Sequence, residues 1–289
     1  MIDGRVCPPG EAHISVYDRG FLYGDSVFET LRTYGGEVFA LGEHLERLAR
    51  SAARVFIPMP VVREELGREV ATAVARAGNA ESYVRVMVTR GQGELGLDPS
   101  LAAQPRRVIL VQKLVPLPEQ HYTEGVKAIT YRTARLLDDT GAAGAKIGNY
   151  LVNVLATREA RLRGGAEALI VDREGRLLEG ASSNIFLVCA GRLITPPVEA
   201  GILEGITRRH VLRAANACGV DVELSVPQVE QAYAADELFI TSSIRELVPV
   251  VQLDETSIGT GQPGPLFARL RAQFSARVRG GVSSAPPRS

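Results

Sequence analysis

Lysine is nearly missing from this 289-residue chain: its 33 Lys plus Arg residues include only Lys113, Lys127 and Lys146, the rest being arginine. A cation needed only for solubility is written as arginine here, so each lysine calls for its own reason. Cysteine is also scarce. Cys7, Cys189 and Cys218 are odd in number and scattered, which removes the basis for a disulfide framework or a metal cluster and fits a reducing, cytoplasmic setting. Neither sign of charge is in excess, since 33 acidic residues balance the 33 basic ones. Nothing electrostatic therefore points to nucleic acid or an anionic membrane as partner. No run approaches the roughly 20 apolar residues that cross a bilayer, and the start MIDGRVCPPGEAH lacks a basic region followed by an apolar one. A soluble protein is expected.

What is present alternates between strand and helix patterns. SVFETLRTYGGEVFA, residues 26–40, reads as two strands joined by a Gly-Gly turn, and LGEHLERLARSAARVF follows as an amphipathic helix. A second helix, VVREELGREVATAVARAG, ends on Gly78. SYVRVMVTRG and RRVILVQKLVPL are β-rich runs separated by the glycine-bearing loop GQGELGLDPS, expected to move over a substrate entrance. Two prolines in VPLPEQ end the strand and mark a hinge. Residues 1–117 are then a small N-terminal domain, 118–121 a linker, 122–278 a larger domain and 279–289 a tail of disordered composition. The larger domain opens with the strand GVKAITYRTAR and a helix running to about Arg163. A meander follows over EALIVDREGRLLEGASSNIFLVCAGRLITP, then a helix with Thr207 as its N-cap, then a strand–turn–strand over ELFITSSIRELVPV.

Lys113 and Lys127 lie in strand-like runs, where a long polar side chain can point to water. Lys146, in GAKIGNYLVNVLATREA, sits among small residues just ahead of an apolar helix. Partial burial favours the neutral amine, and a neutral lysine is a nucleophile toward aldehydes; the ordinary alternative is a salt-bridged structural lysine. Glu179 in LLEGASSN is a carboxylate in a Gly/Ser-rich bend, suited to holding a pyridine nitrogen protonated, although such residues are more often solvated turns. Gly205, Ile206 and Thr207 in LEGITRRH mark a helix start, where backbone N–H groups and the dipole attract phosphate, or an ordinary cap. Thr241, Ser242 and Ser243 in FITSSIRE offer hydroxyls suited to phosphate oxygens and equally to a turn.

The order Lys146, Glu179 in EGASSN, GIT, then TSS resembles the class IV, or fold-type IV, pyridoxal-phosphate aminotransferases, from YDRGFLYGDSVFETLRTY at residue 17 to ELVPV at 250. That family includes branched-chain and D-amino acid aminotransferases and aminodeoxychorismate lyases. The resemblance implies a mixed α/β, two-domain fold with a small N-terminal α/β domain and a larger C-terminal domain with a β-barrel-like core. It implies pyridoxal 5'-phosphate held as a Schiff base by Lys146, no metal, and amino-acid and keto-acid substrates, with a homodimer as the assembly. Glu179 would bind the pyridinium nitrogen. Arg47 in EHLERL would clamp the phosphate, where the residue alone reads as a solvated helix arginine. Gly205, Ile206, Thr207, Ser242 and Ser243 would complete the phosphate cup, and Tyr150 in GNY would lie near the cofactor's phenolic oxygen.

Substrate selection is expected from Phe28, Tyr83, Arg85, Arg90 and Thr30. The Tyr83-x-Arg85 pair resembles branched-chain enzymes, while Arg90 matches the place of a carboxylate-binding arginine in D-amino acid aminotransferases; a solvent-facing strand arginine and a loop cation are the respective alternatives. Phe28 stands where the D-enzymes carry tyrosine. The four-residue spacing in KIGNY is similar to the D-enzymes and lyases, and Thr30 is similar to a threonine of the lyases. The expected activity is transamination of a small amino acid, branched-chain or D-type. The alternatives are an aminodeoxychorismate lyase giving 4-aminobenzoate and pyruvate, and a non-enzymatic α/β binding protein.

Overall fold

The computed structural model describes residues 1–133 and 142–283, with side chains through 278. The chain divides into two compact units, Met1–Val115 with Thr140–Tyr150, and Pro116–Asp139 with Leu151–Ser289. The division falls at Val115/Pro116, two residues ahead of the expected boundary. The larger difference is that the lysine segment belongs to the first unit, not to the C-terminal one.

The first unit contains α1 (Arg19–Tyr23), β1 (Ser26–Tyr34), β2 (Glu37–Val38), α2 (Leu41–Arg54), α3 (Arg63–Ala77), β3 (Ser82–Thr89) and β4 (Arg106–Lys113). Its strands form an antiparallel sheet in the order β2-β1-β3-β4. The tight link between β1 and β2 requires positive φ at two successive positions, and Gly35 and Gly36 supply it with φ of 59° and 79°. Alternation along the strands then sorts the side chains. Val27, Leu31, Val84, Val86 and Val88 pack with Leu45, Leu48 and Ala52 of α2 and Leu66 and Val70 of α3 in one core. The opposite face of the same strands carries Phe28, Thr30, Tyr83 and Arg85, with Thr30 directly across from Arg85.

The second unit contains α4 (Gln120–Thr123), β5 (Val126–Arg132), α5 (Leu151–Leu162), β6 (Glu167–Val171), β7 (Leu177–Gly180), β8 (Asn184–Cys189), β9 (Arg192–Thr195), α6 (Ile206–Ala217), β10 (Val222–Leu224), α7 (Val229–Tyr233), β11 (Glu237–Ser242), β12 (Glu246–Leu253), β13 (Thr256–Ser257) and α8 (Pro265–Ser283). The sheet order is β10-β9-β8-β11-β12-β5-β6-β7, with β13 on β12. β7 is thus five places from β8 in the sheet, yet only a three-residue bend separates them in sequence, where Gly180 N donates to Ser183 O at 2.7 Å. Both conditions hold only if the sheet curls back on itself, which makes the expected barrel-like core. Its interior is a single apolar cluster including Val126, Leu169, Leu177, Ile185, Leu187, Ile240 and Val250. Outside it, the small Ala156 and Ala160 let α5 approach Ile129, Ala168 and Ile170 closely. Phe186 and Phe239 stack at 5.0 Å, and Phe239 meets Phe267 of α8 at 5.7 Å. Burying side chains of this size contributes roughly 1.5–3 kcal/mol each.

Two expectations need correction. Helix α8 runs through Ser283, five residues into the expected disordered tail; residues 284–289 lie outside the described ones. The N-cap of α6 is Gly205, extended at φ −63° and ψ 135°, and Thr207 is a first-turn residue.

Candidate active site

In the first unit, residues 142–150 run against the end of β1 and the last turns of α2. Lys146 N donates to Ser51 Oγ at 3.1 Å, Lys146 O accepts from Phe28 N at 3.0 Å, and Gly148 N donates to Ser26 O at 2.7 Å. Arg54 donates to Ala143 O. Gly148 packs closely here, since a Cβ would lie 2.1 Å from Ser26 Oγ and 3.1 Å from Gly24 O. This backbone tether presents the half-buried Lys146 side chain to an aromatic wall. Nζ is 3.1 Å from Tyr150 Oη and 4.6 Å from the centroid of the Phe28 ring, and that ring meets Tyr150 edge-on at 5.0 Å. The Arg85 guanidinium lies 3.8 Å from the Phe28 centroid, a cation–π distance. Lys113 is exposed and Lys127 pairs with Glu255 at 2.9 Å, so Lys146 alone of the three meets aromatic rings.

Arg47 is buried on the helix-facing side of the sheet. Its Nε and Nη2 donate to Glu29 at 2.7 and 2.6 Å, and His44 Nδ1 lies 2.7 Å from the same carboxylate, which, being acceptor-only, accepts a hydrogen bond from the ring N–H. Burial works to raise the Glu29 pKa, but the Arg47 charge, the Arg47 hydrogen bonds and His44 bring it down to about 2. Burial holds the His44 pKa below its ordinary value despite Glu29, with Arg47 and Lys146 adding to the lowering. Arg90 has another occupation than the expected one. Nε and Nη2 donate to the two oxygens of Asp25 at 2.7 and 3.0 Å, Nη2 also to Val55 O at 2.8 Å, and Nη1 to Phe56 O at 2.7 Å. Four of its five N–H groups are accounted for inside the unit, and with the side chain buried Arg90 is not the loop cation of the alternative reading.

In the second unit, the other expected residues meet at one end of the curled sheet. Thr241 of β11 lies across from Asn184 of β8, so the turn after Ser242 adjoins the bend before Asn184. Asn184 Nδ2 donates to Leu203 O at 2.8 Å, while Leu203 N donates to Glu179 Oε2 at 3.1 Å. The Glu179 carboxylate and the entry to α6 are thereby joined. Gly205 packs so closely on Asn184 that a Cβ would lie 1.9 Å from Oδ1. No side chain caps α6, and the first-turn N–H groups of Ile206 and Thr207 make no hydrogen bond among the described residues. Thr241 Oγ1 is buried without a hydrogen-bond partner among them. An uncapped helix start beside hydroxyls can hold an anion.

Sequence reasoning missed four participants. Glu29 shares its strand face with Val27 and Leu31, and Glu167 opens the wholly apolar run ALIV, so each is an acid placed among core residues that could have been singled out. Ser51 and Arg245 carry no local signal, since one is an ordinary helix serine and the other a turn arginine.

The comparisons with known proteins agree. The family described as Amino-transferase class IV matches residues 26–253. A putative branched-chain-amino-acid aminotransferase of Methanocaldococcus jannaschii is 38% identical over 283 residues, covering 97% of each chain. A D-alanine aminotransferase of Bacillus licheniformis is 34% identical over 284 residues, covering 96% of each. Among solved structures, the T.th. branched-chain amino acid aminotransferase with pyridoxamine 5'-phosphate has a TM-score of 0.91 at 33% identity, covering 96% of this chain and 93% of that one. With the family pattern spanning most of its length and relatives above 30% identity covering nearly all of it, the chain belongs to the class IV aminotransferases.

Proposed function

We propose that the protein transfers an amino group from an L-branched-chain amino acid to an α-keto acid, with pyridoxal 5'-phosphate as cofactor and Lys146 as its attachment point. The observation that carries this is the Lys146 amine, tethered through its backbone to Ser51 and Phe28 and 3.1 Å from the Tyr150 phenol. The residues present fit the cofactor's chemistry: a primary amine for an aldehyde, a carboxylate for a ring nitrogen, and an uncapped helix start with hydroxyls whose protons have no acceptor among the described residues for a phosphate. When bound, pyridoxal phosphate supplies a reactive aldehyde and an electron-withdrawing ring. Lys146 would hold the cofactor through its primary amine and, when that amine is free, would take and return a proton at Nζ. Tyr150 orients the amine by hydrogen bonding. Glu179 holds the proton on the ring nitrogen. Ile206 and Thr207 N–H groups with Ser242 and Ser243 hydroxyls bind the phosphate, whereas the charge of Arg47, the expected phosphate clamp, is taken up by Glu29. Phe28, Thr30, Tyr83 and Arg85 share the sheet face toward which substrate selection is assigned. A homodimer belongs to the same reading, checked by light scattering at twice the chain mass.

The test is attachment. The purified protein is expected to show a near-visible absorption band that borohydride abolishes, with the reduced adduct on the peptide bearing Lys146. Lys146→Ala should lack the band and lose about a thousandfold or more of the activity. An adduct on Lys113 or Lys127, or no adduct on intact protein, overturns the reading.

A further inference from the structure

In the second unit, Glu167, the serines of the bend 181–183 and the turn after β11 form a network that the assignments above leave unused. Glu167 is 2% exposed. Its Oε2 accepts from Ser182 Oγ at 3.0 Å, Ser183 Oγ at 2.9 Å and Arg245 Nη2, and its Oε1 accepts from Ala168 N at 3.1 Å. Arg245 Nη2 also donates to Ser182 Oγ at 2.8 Å. At the near end of the same side chain, Arg245 Nε donates to Ser242 Oγ at 3.3 Å, and the Arg245 backbone N donates to that oxygen at 3.3 Å.

Counting protons sorts the hydroxyls. Each serine has one O–H and two lone pairs. Ser182 and Ser183 spend their protons on Glu167, so neither can donate to an anion. Ser242 is the reverse case: both lone pairs take N–H groups of Arg245, and its own proton has no acceptor among the described residues. It can act outward only as a donor. A phosphate dianion accepts hydrogen bonds and donates none, so a hydroxyl already turned this way binds it without first losing rotational freedom. Ser243, with no hydrogen bond to its hydroxyl among the described residues, has no such constraint.

We propose that Arg245 is a positioning residue that fixes the Ser242 hydroxyl as a donor to the cofactor phosphate, with the buried Glu167 carboxylate as the anchor that holds the guanidinium in place. The proposal rests on the reading of Ser242 as a phosphate ligand. Arg245 itself need not touch the cofactor: its charge is taken up by Glu167, and what it delivers to the cup is direction.

The experiment compares two aldehydes that differ only in the phosphate. Dissociation constants of pyridoxal 5'-phosphate and of pyridoxal are measured on full-length, cofactor-stripped protein by absorbance, and the ratio of the pyridoxal constant to the pyridoxal 5'-phosphate constant isolates the phosphate contribution. Ser242→Ala is expected to lower that ratio about three- to tenfold, the size of one hydrogen bond. Arg245→Lys keeps a cation for Glu167 but lacks the Nε–H that faces Ser242, and should lower the ratio by a similar factor. The double variant should lose no more than Ser242→Ala alone, since Arg245 acts on the phosphate only through that hydroxyl. A wild-type ratio in Arg245→Lys, with Ser242→Ala lowered, overturns the proposal and leaves the phosphate reading intact, as does an additive loss in the double variant. An unchanged ratio in Ser242→Ala sinks the phosphate reading of Ser242 itself. Should Arg245→Lys not fold, Glu167→Gln replaces it: a lowered ratio with unchanged pyridoxal affinity supports the anchor role, and equal weakening of both aldehydes overturns it.

Discussion

At the scale of single residues, composition made Lys146 conspicuous: an arginine cannot form an imine, and in a chain that otherwise prefers arginine a half-buried lysine stands out. The same reasoning could not foresee the partner of Arg47. Glu29 is fully buried with Arg47 and His44, and replacing it by glutamine strands a buried guanidinium, with an expected loss of about 3–5 kcal/mol in denaturant unfolding. The pH dependence follows from the two shifts. The Glu29 pKa is lowered from 4.5 to about 2, so its contribution is present in full above pH 4.5 and is lost as the pH falls toward 2. The His44 pKa is lowered from 6.5, so below that pH the unfolded chain takes up a proton that the folded one resists, and stability declines there first. Unfolding midpoints measured from pH 7 to pH 2 should fall in two stages, and Glu29→Gln should shrink the more acidic one, to which Asp25, Asp172 and Asp254, also held below the ordinary carboxylate range, contribute as well. For Glu179→Ala, retention of the cofactor with catalysis slowed by several kcal/mol of barrier is expected, because the ring loses its charge sink. A near-normal single-turnover rate would remove Glu179 from the site.

At the scale of elements, strand and helix periodicity was legible wherever one face is buried, as in α2 and the alternation of β1 and β3. Caps were less so. The pattern GIT suggested threonine as the cap of α6 because threonine is a common capping residue, yet the chain uses Gly205, chosen by space and not by hydrogen bonding. A Cβ at Gly205 would lie 1.9 Å from Asn184 Oδ1, and Asn184 fixes the loop before α6 through Leu203 O. Gly205→Ala is therefore expected to cost about 1–3 kcal/mol by overpacking and to weaken pyridoxal 5'-phosphate binding as the helix start shifts. Adding Asn184→Ala should restore part of the stability by clearing the clash, without restoring affinity. Recovery of both together would mean that the helix start had never moved.

At the scale of the whole molecule, what local pattern could not reveal was topology. The pattern around Lys146 shows only a small-residue segment entering a helix. Its return to the first unit is decided by backbone bonds to Ser26 and Phe28, more than a hundred residues earlier in the chain. The curled sheet was visible as a meander and its closure was not, because β7 and β8 must be neighbours both by a short bend and around the barrel.

Substrate handedness is set at this scale too. Relatives of both kinds match nearly the full length at similar identity, 38% to the putative branched-chain enzyme and 34% to the D-alanine enzyme, so overall similarity does not choose between them. A local fact does. The D-type reading drew on the four-residue KIGNY spacing, which stands, and on Arg90 as a carboxylate binder, and Arg90 is engaged by Asp25 and by the carbonyls of Val55 and Phe56. Arg85 and Tyr83 remain on the face that Phe28 makes apolar. L-leucine, L-isoleucine and L-valine are therefore expected to exceed D-alanine by at least about tenfold in kcat/KM with 2-oxoglutarate, equivalent to about 1.4 kcal/mol of selective transition-state binding. Arg90→Met should lower the unfolding midpoint while leaving the L-to-D preference unchanged. If D-alanine proves the better donor and Arg90→Met reverses that order, the Asp25 pair is not the arginine's working state and the branched-chain reading falls.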